Sequence, residues 1–178
     1  MYAGTGPNGR VFATADGASW IPVLSGLGET QVNGLTAFNG KLYAGTTPSG
    51  FIYSTADGVT WGQVLSGTGE TSFYALAAHG GRLYAGSLPS ARVYSTSDGA
   101  VWTPSLSGTG ESQVMSLASF RGRLYAGTFP NGKLYATVDG AGWYPALQGA
   151  GETQLAALAA FGGKLYAGTV PSAKVLEL

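Results

Sequence analysis

The chain has no cysteine, a single histidine and two methionines among 178 residues. Disulfide frameworks and thiolate metal sites are therefore excluded, and the redox compartment leaves no mark on the sequence. Charge is scarce too: nine Lys and Arg balance nine Asp and Glu, 10% of the chain, with no net charge. Nucleic-acid binding and polybasic membrane attachment both require clustered cations, so neither is expected. No apolar run approaches the roughly 20 residues that a membrane helix needs. Helical periodicity is also missing, because glycine interrupts every candidate stretch. Ala156–Ala160 is the one helix-prone segment, and it occupies the slot of Gly34–Phe38, which reads as strand. Met1 fills the slot of Leu42, Leu83, Leu124 and Leu165, with no basic-then-apolar leader before it. An intracellular protein and a processed or trimmed chain both fit; location is left open, with the extracellular side favoured.

What the chain has in abundance is glycine, 30 residues of it, with eight prolines and no collagen period. That composition suits a turn-rich all-β protein. A period of 41 residues runs through it: Tyr2, Tyr43, Tyr84, Tyr125 and Tyr166 each open a Tyr-Ala-Gly. The same step relates Asp16, Asp57, Asp98 and Asp139, each followed by Gly, and Trp20, Trp61, Trp102 and Trp143. A period of this length marks one supersecondary unit stacked on copies of itself. The units are 1–41, 42–82, 83–123 and 124–164, with a partial fifth, 165–178, forming one repeat domain. Fourteen of the 41 slots are identical in the four full copies, so the array is natural or derived from a natural one.

Each unit divides into four short strand-like segments. In the second these are Lys41–Thr46, Phe51–Thr55, Trp61–Ser66 and Thr71–His79, separated by Thr-Pro-Ser-Gly, Ala-Asp-Gly, Gly-Thr-Gly-Glu and Gly-Gly turn chemistry. Four strands per unit of about 40 residues predicts a β-propeller of four-stranded blades. With strands named A (innermost) to D, the chain runs B-C-D, three times A-B-C-D, then A-B and a short C. Small residues at Gly34, Ala75, Ser116 and Ala157 suit a crowded inner strand; Leu35, Leu76, Leu117 and Leu158 suit the space between blades. Five blades with incomplete seam blades are favoured over four blades with an extra hairpin. A solenoid of stacked hairpins is the rival architecture, disfavoured by the lack of polar caps. Open seam strands invite self-association into a homo-oligomer, since an unpaired edge is a template for another chain.

Ser54–Trp61, STADGVTW, resembles the Asp-box, or bacterial neuraminidase, repeat of sialidases and many other propellers. Ser54, Gly58, Thr60 and Trp61 match that pattern in place, whereas Asp57 falls one residue late. The looser copies are Thr14/Asp16/Gly17/Trp20, Ser95/Asp98/Gly99/Trp102 and Thr137/Asp139/Gly140/Trp143. The resemblance implies a propeller in which the box is a folding element on the C–D hairpin, away from the active face. The residues themselves suggest the same: an Asp at a tight turn accepts its loop's N–H groups, and Trp covers the hairpin. Asp16, Asp57, Asp98, Asp139 and the four tryptophans are thus expected to be structural, with sugar stacking on the tryptophans the alternative.

Eight of the nine acids occupy two slots, those of the four Asp residues and Glu29, Glu70, Glu111 and Glu152; the ninth is Glu177. Catalysis needs an asymmetric group of acid, base and nucleophile, and the chain has almost no ionisable residue outside its repeat pattern. The arginine triad, Tyr/Glu pair and acid that a sialidase needs cannot be assigned. No enzyme, no cofactor and no metal site are expected. His79 stands in the slot of Phe38, Phe120 and Phe161 and reads as a polar aromatic at a strand end. The remaining candidate site is a loop face carrying one ligand pocket per blade junction. Each would combine a Glu (29, 70, 111 or 152) with Gly-rich loop N–H groups and a variable slot: Gly6, Thr47, Leu88, Phe129, Val170. That predicts a non-enzymatic, lectin-like module with glycans as candidate ligands. The competing reading gives Glu to the frame, bonded to neighbouring loop N–H groups or to Arg10, Arg92, Lys133 or Lys174. The protein is then a structural, fragmentary or engineered propeller without a small ligand.

Overall fold

The computed structural model describes residues 1–149 and 151–178. All regular structure in the described residues is β, in five antiparallel sheets taken in chain order. Blade 1 holds β1 (Tyr2–Gly4), β2 (Val11–Ala13) and β3 (Ile21–Leu24). Blade 2 holds β4 (Gln31–Phe38), β5 (Lys41–Thr47), β6 (Ile52–Thr55) and β7 (Gly62–Leu65). Blade 3 holds β8 (Ser72–His79), β9 (Arg82–Leu88), β10 (Val93–Thr96) and β11 (Thr103–Leu106). Blade 4 holds β12 (Gln113–Phe120), β13 (Arg123–Phe129), β14 (Leu134–Thr137) and β15 (Tyr144–Leu147). Blade 5 holds β16 (Gln154–Phe161), β17 (Lys164–Val170) and β18 (Val175–Glu177). The chain is thus an all-β propeller array of five blades, of which the first lacks an inner strand and the last an outer one. Ala156–Ala160 is strand, inside β16. The third segment of each unit starts one residue later than its composition suggests, at Gly62 rather than Trp61.

Strand pairing repeats as closely as the sequence does. The innermost pair of blade 2 runs from Gln31 opposite Thr47 to Phe38 opposite Lys41, with a shift between Val32 and Gly34. Equivalent shifts occur at Phe73/Ala75, Val114/Ser116 and Leu155/Ala157. A bulge of this kind bends and twists a strand. In blade 2 it turns Asn33 so that Nδ2 donates to Thr47 Oγ1 of the same blade at 2.7 Å and to Ser72 Oγ of the next blade at 3.0 Å.

The core is distributed among the blade junctions rather than gathered at one centre. Four apolar clusters each join two neighbouring blades; the one between blades 2 and 3 holds Phe38, Tyr43, Ile52, Phe73, Leu83, Ala85 and Tyr94. Leu35, Leu76, Leu117 and Leu158 each pack against one of these clusters. Burying one such large side chain stabilises by about 2–3 kcal/mol. Close approach of the blades depends on the glycine of Tyr-Ala-Gly: a Cβ on Gly45 would lie 2.6 Å from the Phe73 carbonyl of the next blade. The end blades are less covered: with no inner strand beside β1, Tyr2 is 42% exposed where Tyr43 and Tyr84 are 1% exposed, and with no blade packed on β16, Phe161 is 79% exposed where Phe38 is 7% exposed. The first and last sheets share no strand pairing.

Candidate functional site

Two sets of repeated carboxylates, four of each, lie at opposite ends of the blades, and they do different jobs. At the C–D turn, Asp57 Oδ1 accepts the backbone N–H groups of Val59 and Thr60 at 2.8 and 2.7 Å, and the Thr55 hydroxyl at 2.9 Å. The Thr55 hydroxyl in turn accepts the Gly58 N–H. The other turns repeat this around Asp16 with Thr14, Asp98 with Thr96 and Asp139 with Thr137. N–H donation from Ser19 and Ala18 holds Asp16 at a pKa of about 2, and Ala100 and Val101 do the same for Asp98, also about 2. Asp57 and Asp139 are lowered by the same kind of donors. The hydroxyl partner is therefore Thr55 or Thr96, not the Ser54 or Ser95 that the Asp-box comparison picks out. Thr-x-Asp recurs in all four full copies, which is the signal that identifies it.

The tryptophans differ from expectation in their partner. Trp61, Trp102 and Trp143 join the junction clusters with the preceding blade instead of covering their own hairpins. The Trp143 indole donates to Ser105 Oγ of blade 3 at 3.0 Å. Trp61 and Trp102 have buried indole nitrogens with no acceptor. The slot of Ser105 is occupied by Val23 and Val64 in the earlier copies, which explains why. Trp20, with no blade before it, is 38% exposed.

At the opposite end, Glu29, Glu70, Glu111 and Glu152 are all buried. Each sits in a D–A loop and reaches 20 residues ahead to the B–C loop: Ser49 N donates to Glu29 at 3.2 Å, Ser90 N to Glu70 at 3.2 Å, Asn131 N to Glu111 at 3.0 Å and Ser172 N to Glu152 at 3.1 Å. Cations two residues further on complete three of the four: Arg92 to Glu70 at 3.6 Å, Lys133 to Glu111 and Lys174 to Glu152 at 2.9 Å. Glu111 also accepts Asn131 Nδ2 at 3.0 Å and the Thr128 hydroxyl at 3.3 Å. Burial pushes the Glu111 carboxyl up, but these donors more than offset it and hold it below the ordinary range. Lys174 and the Ser172 N–H do the same for Glu152. In the slot of these cations the second blade carries Phe51, so Glu29 has no cation there, and Arg10 lies in the blade before it.

The variable slots line the end of each B strand. The Thr47 hydroxyl is engaged by Asn33 and Ser72, tying blade 2 to blade 3. Leu88 and Phe129 close β9 and β13 half-buried, and Val170 is more open at the end of β17. The Glu carboxylates and these slots thus share one face, but the carboxylates point into the frame. His79 donates from Nε2 to the Val138 carbonyl at 3.0 Å and faces the Ser119 hydroxyl through Nδ1 at 2.9 Å, linking blades 3 and 4. Two cavities lie away from this face. One of about 410 Å³ lies at the C–D end of blade 1, beside Met1, Tyr2, Asp16 and Ile21, and one of about 300 Å³ lies between blades 3 and 4, beside Arg82, Ser105 and Asp139.

Comparison with known proteins places this geometry in context. The DUF6242 beta propeller domain matches residues 1–104. No curated protein matches the chain. Among solved structures, a chain of the nidogen/laminin complex superimposes with a TM-score of 0.74 at 15% identity, covering 99% of this chain and 72% of that one. YCF48 bound to a D1 peptide gives 0.67 at 18% identity, with 92% of this chain covering 55% of that one. The computationally designed Ika4 protein gives 0.61 at 17% identity, with 87% and 94% covered. Likenesses at this identity establish the fold and nothing further.

Proposed function

Because the chain belongs to the DUF6242 beta propeller domain family, we propose that it is a non-enzymatic binding module, acting through the face formed by its D–A and B–C loops. One observation carries this reading. The repeated carboxylates on that face are committed to loop N–H groups and cations, while a single slot at each B-strand end changes from copy to copy. Acid–base chemistry needs groups free to exchange protons with a substrate, and these carboxylates serve as anchors instead. A constant frame carrying Thr47, Leu88, Phe129 and Val170 presents different side chains at equivalent points around an arc. Several weak contacts of that kind add up through effective concentration.

The lectin-like form of this reading puts sugar contacts at those variable side chains and at the loop N–H groups, with Glu70 and Glu111 holding the loops in place. A glycan array probed with the full chain and with Leu88→Ala and Phe129→Ala tests it. Selective binding that weakens several-fold in both variants, with unchanged thermal midpoints, is the expected result. No binding to any glycan, or binding indifferent to both substitutions, would remove the carbohydrate reading.

A further inference from the structure

Four slots of the repeat, those of Arg82, Ser95, Thr103 and Ser105, are all polar in blade 3. Blade 2 has Lys41, Ser54, Gly62 and Val64 in the same slots, and blade 4 has Arg123, Ala136, Tyr144 and Ala146. Ser95 of β10 is paired in register with Tyr84 of β9 on one side and Thr103 of β11 on the other. Side chains alternate across a strand, so Arg82, Tyr84, Ser95 and Thr103 share one face of the blade. A register shift between Val93 and Tyr94 leaves Ser105 between partners, and its hydroxyl donates across to the Gly140 carbonyl of blade 4. This face of blade 3 is therefore the one turned toward blade 4.

Between that face and the C–D turn of blade 4 lies a cavity lined by Arg82, Ser95, Thr103, Ser105, Asp139 and Gly140. Its walls are fixed. The Tyr84 hydroxyl sits against Gly140, as that of Tyr43 does against Gly99, and it donates to the Asp139 carbonyl at 3.4 Å. What faces the cavity is polar and largely unspent. Among the described residues, the Arg82 guanidinium donates only to Ser95 Oγ, at 3.3 Å, and joins no ion pair. Its counterparts Lys41, Arg123 and Lys164 are exposed, whereas Arg82 is half-buried and Ser95 is 4% exposed. Because Ser95 accepts from Arg82, its own hydroxyl proton is available to a ligand. Asp139 uses Oδ1 for the donors of its turn, and Oδ2 accepts no hydrogen bond among the described residues.

The geometry points to a binding site in this cavity for a hydroxylated carboxylate of monosaccharide size, such as a sugar acid. The Arg82 fork takes the ligand carboxylate in two parallel N–H···O bonds, the Ser95 hydroxyl donates a third, and ligand hydroxyls donate to Asp139 Oδ2. The Asp139 charge sets the selectivity. It opposes a compact, highly charged anion such as phosphate, and it accepts from a ligand whose single charge lies at the Arg82 end. The cavity holds about 300 Å³, the small end of the range of about 300–1,000 Å³ for ligand pockets, which suits one sugar ring rather than a chain. The site lies at the C–D end, opposite the loop face, and does not depend on what that face binds.

Titration of the isotope-labelled full chain with glucuronate, glucose and inorganic phosphate, followed by backbone amide NMR, tests it. Glucuronate is expected to shift the Ser95, Ser105 and Ala141 amides saturably. Glucose, which lacks the charge, and phosphate, which lacks the hydroxylated ring, are each expected to bind roughly tenfold more weakly or worse. Two variants carry residues that other blades already hold in these slots, so the fold accepts them: Arg82→Lys, as at Lys41, and Ser95→Ala, as at Ala136. The first loses the fork and the second the third donor, and both are expected to weaken glucuronate binding several-fold with unchanged thermal midpoints. No saturable shift with glucuronate, equal binding of glucose or phosphate, shifts confined to the Leu88 and Phe129 amides of the loop face, or an affinity indifferent to both substitutions would each overturn the proposal.

Discussion

The Asp turn and the Glu junction use the same chemistry, a carboxylate accepting backbone N–H groups, over very different spans of chain. Asp57 reaches two and three residues ahead and closes a single hairpin in solvent. Glu111 reaches 20 residues ahead, is buried, and is joined by Lys133 and the Asn131 side chain. Its main chain has a second attachment. In the equivalent junction the Glu152 carbonyl lies 2.5 Å from where a Cβ of Gly132 would be, so the preceding blade's loop packs directly on it. One carboxylate shapes a turn; the other fastens three loops from two blades. The difference teaches that a repeated acid is not by itself a repeated ligand site: both sets are taken up by donors, and how far each reaches decides what it fastens.

Acid should break both kinds of link together, and it is the largest effect expected. The folded-state values of Asp16, Asp57, Asp98, Asp139, Glu111 and Glu152 all lie below their ordinary ones. A carboxylate lowered on folding contributes stability that is complete above its unfolded pKa and is lost as pH falls through the folded value. The thermal midpoint is therefore expected to be flat above about pH 5 and to fall steeply from about pH 4 toward pH 2. A midpoint that stays level to pH 2 would mean that neither set of carboxylates is held as described.

Single substitutions separate the two sets. Glu111→Ala removes four acceptor contacts and leaves Lys133 facing a buried gap, which is expected to cost about 3 kcal/mol. In a chain of this size that lowers the thermal midpoint by roughly 6–12 °C. Glu29 has the Ser49 N–H and no cation, so Glu29→Ala should cost only about 1 kcal/mol by urea denaturation. Equal losses at the two positions would show that the cation adds nothing to the junction.

Much of this was legible in the sequence, and what was not has a common cause. The 41-residue period, four segments per unit and the assignment of B-C-D to the first sheet and A-B-C to the last follow from local patterns such as Leu-Tyr-Ala-Gly and Asp-Gly. The Asp turns were readable for the same reason, although Thr55 rather than Ser54 proved to be the hydroxyl involved. The contacts that escaped are those between blades. Tyr43 meeting Gly99 and Trp143 meeting Ser105 join residues about one and a third and one repeat apart, with no local motif between them. The Glu residues were recognisable as a set, and the frame reading named loop N–H groups and Arg92, Lys133 and Lys174 as partners; what no local motif gives is that these donors and the cation act together on Glu70, through Ser90 and Arg92. Only the pairing of β8 with β9 and of β9 with β10 brings that loop within reach.

Hydrogen exchange at single backbone amides tests the central claim, that the Glu carboxylates belong to the frame, more directly than any change in overall stability. The comparison is between wild type and Glu111→Ala, under conditions where both stay folded. The account predicts that the Asn131 amide is protected in wild type and exchanges much faster in the variant. The Ala141 and Gly142 amides, held by Asp139 in the same blade, should keep their protection. If the Asn131 amide exchanges equally in both proteins, the Glu111 carboxylate does not hold that loop and is free for a ligand, contradicting the account.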